Sequence, residues 1–371
     1  MSPRASTTLT IGIDARAAVE VPAGRGRFVR ELVRALAARK DDHRYILYAR
    51  TAWPEATLDD RFRWQLIAAN DPWWHLQTAR RANRECDVFL SSNSYLTVWF
   101  LRIPAVPVVY DMTTFEATMR PNRRSTVIER LTLGLAVRRS GAIVAISRAT
   151  ADALAERYPR ARSLTTVAPL GVSPALEART SAEEEVEGEL PAAGFVLAVG
   201  TLEPRKNLPR LVEAYLRLPA PMQAEHPLVV VGALGWETGA TLDALRSLGE
   251  RARRLGYVSD AALAELYRRC AVFCYPSLGE GFGLPVLEAM SLGAAVVTSD
   301  ISSLPEVGGD AVEYVDPFDV SSIAAALRGL LESPARRAEL GGQARRRAGE
   351  FSWERTAEST VEALERAARH G

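Results

Sequence analysis

Two glutamates eight positions apart, Glu280 and Glu288, enclose a stretch rich in glycine, with Gly279, Gly281 and Gly283 spaced through SLGEGFG. Carboxylates accept hydrogen bonds from hydroxyls, often in pairs, and the amides of an open glycine loop reach hydroxyls and phosphate oxygens, so this combination suits a sugar or a sugar phosphate. The plainer reading makes Glu280 a solvated loop residue and Glu288 a complement to a helix dipole. A second group is Arg205 with Lys206, which together offer a fork for two oxygens and a point charge for a third, as a pyrophosphate requires. Lys206 is one of two lysines in the chain, the other being Lys40. Read as surface charge, the Arg-Lys pair sits at a helix start where the dipole disfavours cations, a cost that an anionic ligand would offset. Gly24 and Gly26 precede a further helix, either as a phosphate-receiving loop or as a mobile loop without a ligand. They are not the dinucleotide fingerprint, because the third glycine position holds Val29. Asp111 closes an apolar run, and it suits either a cleft or the capping of the turn that follows.

These residues require strands that end beside them. Residues 271–275 form an apolar run stopped by Pro276, Pro285 opens a helix with Glu288 in its first turn, Gly293 ends it, and 294–298 form a strand without alternation. Such a strand is covered on both faces, so the glutamate loop lies at the carboxyl end of a parallel strand, where open α/β sheets bind ligands. Further strands are expected at 8–14, 45–48, 63–68, 86–91, 106–110, 142–146 and 167–169, and then at 195–200, 228–231, 256–258 and 311–315. Helices are expected at 28–38, 123–139, 148–158, 208–218, 242–248, 261–269, 286–292, 321–331 and 353–369. In the helix over 123–139, Ile128, Leu131, Leu135 and Val137 make the apolar side, and its arginines give a solvated face or, alternatively, a membrane-surface one. Trp73 and Trp74 open another helix as core residues. Residues 180–189, TSAEEEVEGE, read as a linker between two doubly wound parallel sheets.

A chain of 371 residues exceeds the usual growth of one core, so two domains are expected. The net charge of +1 argues against a nucleic-acid partner. Cys86, Cys270 and Cys274 are odd in number and suggest a reducing, cytoplasmic setting rather than a disulfide framework. Nothing approaches the ~18 consecutive apolar residues of a membrane span, and the first residues lack a signal-peptide core. No two of the four histidines have metal-ligand spacing. A dehydrogenase would need GxGxxG, which is missing. A nucleotide-sugar epimerase can share a two-domain architecture but is not expected to carry this glutamate pair in GFGLPVLEAM, and turnover separates a catalytically inactive binding protein from an enzyme.

The segments EGFGLPVLEAMSLG and GTLEPRKNL resemble the family 4 retaining glycosyltransferases, the group 1, mannosyltransferase-like enzymes of GT-B fold. That resemblance implies two Rossmann-like domains facing a central cleft. The acceptor-binding domain would occupy residues 1–175, a linker 176–193, the nucleotide-sugar domain 194–350, and 351–371 a helix packing back on the first domain. Arg205 and Lys206 would hold the donor diphosphate and Glu288 the ribose. Glu280, with the backbone of Gly281, Phe282, Gly283 and Leu284, would hold the sugar. Gly24 and Gly26 would approach the phosphates, and the base would rest near Tyr257 and Val258. Many relatives have histidine where this chain has Tyr110, so only Asp111 is carried over there, as the residue that orients the acceptor or assists its deprotonation. The resemblance further implies a hexose donor, GDP-mannose first, and retention without a covalent glycosyl-enzyme. No metal or other cofactor is implied. The acceptor would be a glycan, a lipid-linked or a small-molecule hydroxyl, with peripheral membrane contact through the first domain.

Overall fold

The computed structural model describes residues 8–21, 24–54, 57–112, 115, 123–177 and 190–370. Residues 178–189, which include the expected linker segment, lie outside these. The chain divides into two compact units, one of residues 1–171 with 352–371 and the other of residues 172–351.

The first unit holds β1 (Thr10–Asp14), β2 (Arg44–Ala49), β3 (Phe62–Leu66), β4 (Val88–Ser91), β5 (Ala105–Val109), β6 (Ile143–Ala145) and β7 (Thr165–Val167). They form one parallel sheet in the order β3-β2-β1-β4-β5-β6-β7. The second unit holds β8 (Val196–Val199), β9 (Leu228–Val231), β10 (Ala252–Gly256), β11 (Val272–Tyr275), β12 (Val296–Ser299) and β13 (Glu313–Val315), in the order β10-β9-β8-β11-β12-β13. Both sheets start at an inner strand, wind outward to one edge, then return and wind to the other. In such sheets the ligand crevice opens above the carboxyl ends of the strands where the order reverses, here β1 beside β4 and β8 beside β11.

Most elements follow the apolar pattern, and the departures have physical causes. A strand expected at 256–258 runs instead over Ala252–Gly256, because β10 is an edge strand with Arg253 and Arg254 exposed and so carries no apolar signal. Tyr257 and Val258 therefore follow the strand. The helix expected from residue 28 begins at Arg25, so Gly26 lies within its first turn rather than in a loop. A β-carbon on Gly26 would sit 1.7 Å from the Val21 carbonyl oxygen, so this glycine serves close backbone packing, while Gly24 takes a positive φ of 55° at the helix start. In Arg123–Arg139 the buried side chains among the described ones are Thr132, Leu133, Ala136 and Val137, whereas Leu131, expected to be inside, is 64% exposed, and the side chain of Ile128 lies outside the described residues. Trp74 is buried beneath the Arg16 guanidinium, 3.6 Å from its ring centre, but Trp73 faces out.

The carboxyl end of β1 is tied down by charge. Buried Arg16 bonds both oxygens of buried Asp14 and reaches Asp71 at 3.1 Å, and Arg50, just beyond β2, bonds the same Asp71 at 3.0 Å. The last helix, Trp353–His370, packs in the first unit, where Arg366 donates to the Leu164 carbonyl at 2.6 Å and to Thr166 Oγ1 at 2.8 Å. Among the described residues no helix is long and apolar enough to cross a membrane.

The packing at Gly26 makes a direct prediction. Gly26→Ala should lower the unfolding free energy by roughly 1–3 kcal/mol, the range for overpacking a close contact. Chemical denaturation measures it, and wild-type stability would contradict the packing role.

Candidate active site

The crevice of the second unit is built from two connections that lock together. β8 leads into a 3-10 turn, Pro204–Lys206, and then into Asn207, whose left-handed φ of 59° starts the helix Leu208–Leu216. Asn207 is buried, and its amide donates to the carbonyls of Pro276 at 2.9 Å and Pro317 at 2.7 Å. β11 leads into the loop 276–283. Its Ser277 hydroxyl and Leu278 amide both donate to the Arg205 carbonyl, at 3.0 and 2.8 Å. The two connections thus hold each other by backbone groups before any charge is counted.

At their junction sits the Glu280 carboxylate, whose side chain is 9% exposed. One oxygen accepts from Lys206 Nζ at 2.7 Å, from the Tyr275 hydroxyl at 2.8 Å and from the Ser277 hydroxyl at 2.7 Å. The other oxygen pairs with Arg205, which also bonds Glu203 at 2.5 Å and the Gly279 carbonyl at 3.0 Å. Lys206 donates in turn to the Tyr275 hydroxyl. Burial alone would raise the Glu280 pKa, but Lys206 and Arg205 outweigh it and bring it down to about 2. Burial pulls Lys206 below the ordinary lysine value against the attraction of Glu280, and pushes the Tyr275 phenol well up. The cost of two cations at a helix start, which an anionic ligand was expected to offset, is met within the protein by Glu280 and Glu203.

Glu288 lies beyond the first turn of the helix Leu284–Ser291, not within it. Its side chain is buried and accepts from the Tyr267 hydroxyl at 3.2 Å. Gly283 opens that helix with φ 99°, and a β-carbon there would meet Leu304 at 2.7 Å. Phe282 packs inward, edge-on to Phe351 at 5.9 Å, so at this position only backbone is left for a ligand, while Gly281 and Leu284 remain partly exposed. Tyr257 is 68% exposed past the end of β10, and Val258 is half-buried beside it.

The structure therefore brings Arg205, Lys206 and Glu280 into one cluster, with Glu288 on the following helix. Gly24, Gly26 and Asp111 belong to the first unit. Asp111 follows β5, and its neighbour Tyr110 is committed to packing, with its hydroxyl on the Ser92 carbonyl at 2.6 Å and its ring edge-on to Phe28 at 5.3 Å. Sequence reasoning missed Glu203, Tyr267, Tyr275 and Ser277, the groups that hold the charged residues. A hydroxyl on the last residue of a strand entering the crevice was the available signal for Tyr275.

Two families match the chain. Residues 181–347 match the family described as Glycosyl transferases group 1, and residues 22–176 match Glycosyltransferase Family 4. The chain belongs to the family 4, group 1 glycosyltransferases. The O-antigen chain mannosyltransferase B of Escherichia coli is 43% identical over 176 residues, covering 46% of this chain and 45% of that protein. The match spans 45% of that protein's length and 22% of the serotype-specific mannosyltransferase WbdA of Escherichia coli. Among solved structures, sucrose-phosphate synthase from Thermosynechococcus elongatus has a TM-score of 0.74 at 20% identity, covering 95% of this chain and 97% of that one. The Anabaena protein HepE, solved in complex with UDP-glucose, also has a TM-score of 0.74, at 18% identity, covering 96% of this chain and 99% of its own. These likenesses show a shared GT-B fold.

The Glu280 cluster predicts a pH signature. Because its folded pKa is depressed, Glu280 contributes stability above the ordinary carboxylate pKa of 4.5, and that contribution is lost as pH falls towards about 2. Glu280→Gln should therefore cost roughly 3 kcal/mol at neutral pH, the scale for breaking a buried pair. The gap should narrow in acid. A gap that stays constant with pH, followed by denaturant melts, would contradict an ionised Glu280.

Proposed function

We propose that this glycosyltransferase moves a hexose from a nucleotide-diphosphate sugar, GDP-mannose first, to a hydroxyl of a glycan, glycolipid or small molecule, with retention of anomeric configuration. The observation that carries the reading is the buried Lys206–Glu280–Arg205 cluster at the carboxyl ends of β8 and β11. A cationic group at a sheet's reversal point, braced by backbone and aimed by neighbouring hydroxyls, is suited to an anionic leaving group. The mannosyltransferase likeness supports mannose, and the Anabaena structure with UDP-glucose supports a nucleotide sugar in general.

In this reading Lys206 takes the phosphate charge directly, and Arg205 supports it while remaining tied to Glu203 and Glu280. Glu288 receives the ribose hydroxyls, and the base lies against Tyr257 and Val258. The backbone near Gly281 and Leu284 contacts the sugar, with Glu280 beside it. Gly24, at the helix start in the first unit, keeps the phosphate-side role implied by the resemblance, and Gly26 supports its backbone.

A double displacement needs a carboxylate free to bond the anomeric carbon. Glu280 is tied by four donor groups and Glu288 is buried on Tyr267, which favours a single step on one face. The bond from the anomeric carbon to the phosphate oxygen breaks, the acceptor oxygen bonds that carbon on the same face, and the departing phosphate oxygen takes the acceptor proton. Asp111 is assigned to orienting the acceptor hydroxyl. In this reading Lys206 and Arg205 donate to the leaving phosphate, and no metal is called on.

Incubation of the full chain with GDP-mannose, UDP-glucose or dTDP-glucose and an alkyl mannoside tests the reading. Proton NMR should show an α-linked product from GDP-mannose, and intact-mass spectra no sugar adduct. A β-linked product would overturn retention, turnover of UDP-glucose alone would overturn the mannose donor, and no turnover with any donor would overturn the enzyme reading.

A further inference from the structure

The Tyr275 hydroxyl stands between the two charged groups of the cluster. It donates to Glu280 at 2.8 Å and accepts from Lys206, whose ammonium lies 4.8 Å from the centre of the same ring. The ring is 3% exposed and stacks on Phe273 at 5.8 Å, so its position is set by packing rather than by the hydrogen bonds. Ser277 adds a further donor to the same Glu280 oxygen at 2.7 Å.

This arrangement decides which bond in the cluster can open. For a phosphate to bond Lys206 directly, the ammonium must loosen from Glu280, and an uncompensated buried carboxylate would oppose that strongly. Here, when Lys206 turns away, one Glu280 oxygen keeps the Tyr275 and Ser277 hydroxyls and the other keeps Arg205. The carboxylate stays solvated by the protein, and the ammonium keeps an oxygen partner during the change.

We propose that Tyr275 is a positioning residue for the donor diphosphate: its hydroxyl, seconded by Ser277, holds Glu280 so that Lys206 can pass from the carboxylate to phosphate, without Tyr275 itself touching the substrate. The inference rests on the donor-site reading above. The charged and titratable groups facing Glu280 are Lys206, Arg205 and Glu203 from the turn after β8, and Tyr275 from β11.

Tyr275→Phe keeps the ring and removes only the hydroxyl, Ser277→Ala removes the second donor, and Tyr215→Phe is a control. Tyr215 is a buried tyrosine of the same unit whose hydroxyl bonds the Gln223 and His226 carbonyls, away from the cluster. Calorimetry with GDP and UDP on the full chain should show about tenfold weaker binding for Tyr275→Phe, the scale of one hydrogen bond to a charged group. Ser277→Ala should lose less, and Tyr215→Phe nothing. Melting temperatures between pH 3 and 8 provide the second readout. The hydroxyl stabilises the ionised form of Glu280, so the Tyr275→Phe deficit should be largest near neutrality and shrink as acid protonates the carboxylate, while the Tyr215→Phe deficit should not follow that pattern. Wild-type affinity together with a pH-independent deficit would overturn the proposal. If the wild-type chain binds neither nucleotide, the donor reading fails and the transfer of Lys206 fails with it, while the pH series still decides whether the hydroxyl positions Glu280.

Discussion

A carboxylate buried at the end of a strand is stable as an anion only when enough donors surround it, and Glu280 meets that condition with two cations and two hydroxyls. Much else in the second unit serves this one group. Asn207 fixes the turn that carries Arg205 and Lys206, and the Arg205 carbonyl receives the loop that carries Glu280. Ser302 bonds the Glu280 amide at 3.0 Å and Ser303 its carbonyl at 2.9 Å, so the segment after β12 closes the loop from the other side. Together these contacts preorganise charge where a leaving diphosphate would need it, which is the form of electrostatic help that costs no rearrangement during reaction.

The repeated winding explains why the cluster falls where it does. In each unit the first strand is interior and the order reverses beside it, so the connections after β8 and β11 emerge as neighbours. The same point in the first unit, after β1 and β4, holds the Asp14–Arg16 pair, and Ser92 bonds the Asp14 carbonyl there. That pair is internally satisfied and ties the ends of β1 and β2 to Asp71. One scaffold thus presents a braced cluster of two cations and two carboxylates in one unit and a structural ion pair in the other.

Strands buried on both faces were legible in the sequence, because β8 and β11 carry uninterrupted apolar runs and β12 continues the run of residues 294–297 before its Thr298 and Ser299. β10 was displaced because an edge strand has no such constraint, and Arg253 and Arg254 conceal it. The residues that carry charge were legible from their types and spacing, whereas the groups that hold them were not. Tyr275 reads as one more apolar strand residue, and nothing in its neighbours says that its hydroxyl meets both Lys206 and Glu280. Gly26 misled for a related reason: the glycine requirement comes from the carbonyl of Val21, a contact made only once the chain has turned back on itself.

The central claim is that this cluster receives the donor diphosphate through Lys206 while Glu280 stays in place. A crystal structure of the full chain with GDP or UDP tests it most directly. The account requires a phosphate oxygen within hydrogen-bond distance of Lys206 Nζ, with Glu280 still held by Tyr275, Ser277 and Arg205. A diphosphate bound away from the 204–206 turn, with Lys206 paired to Glu280 as in the free protein, would contradict it.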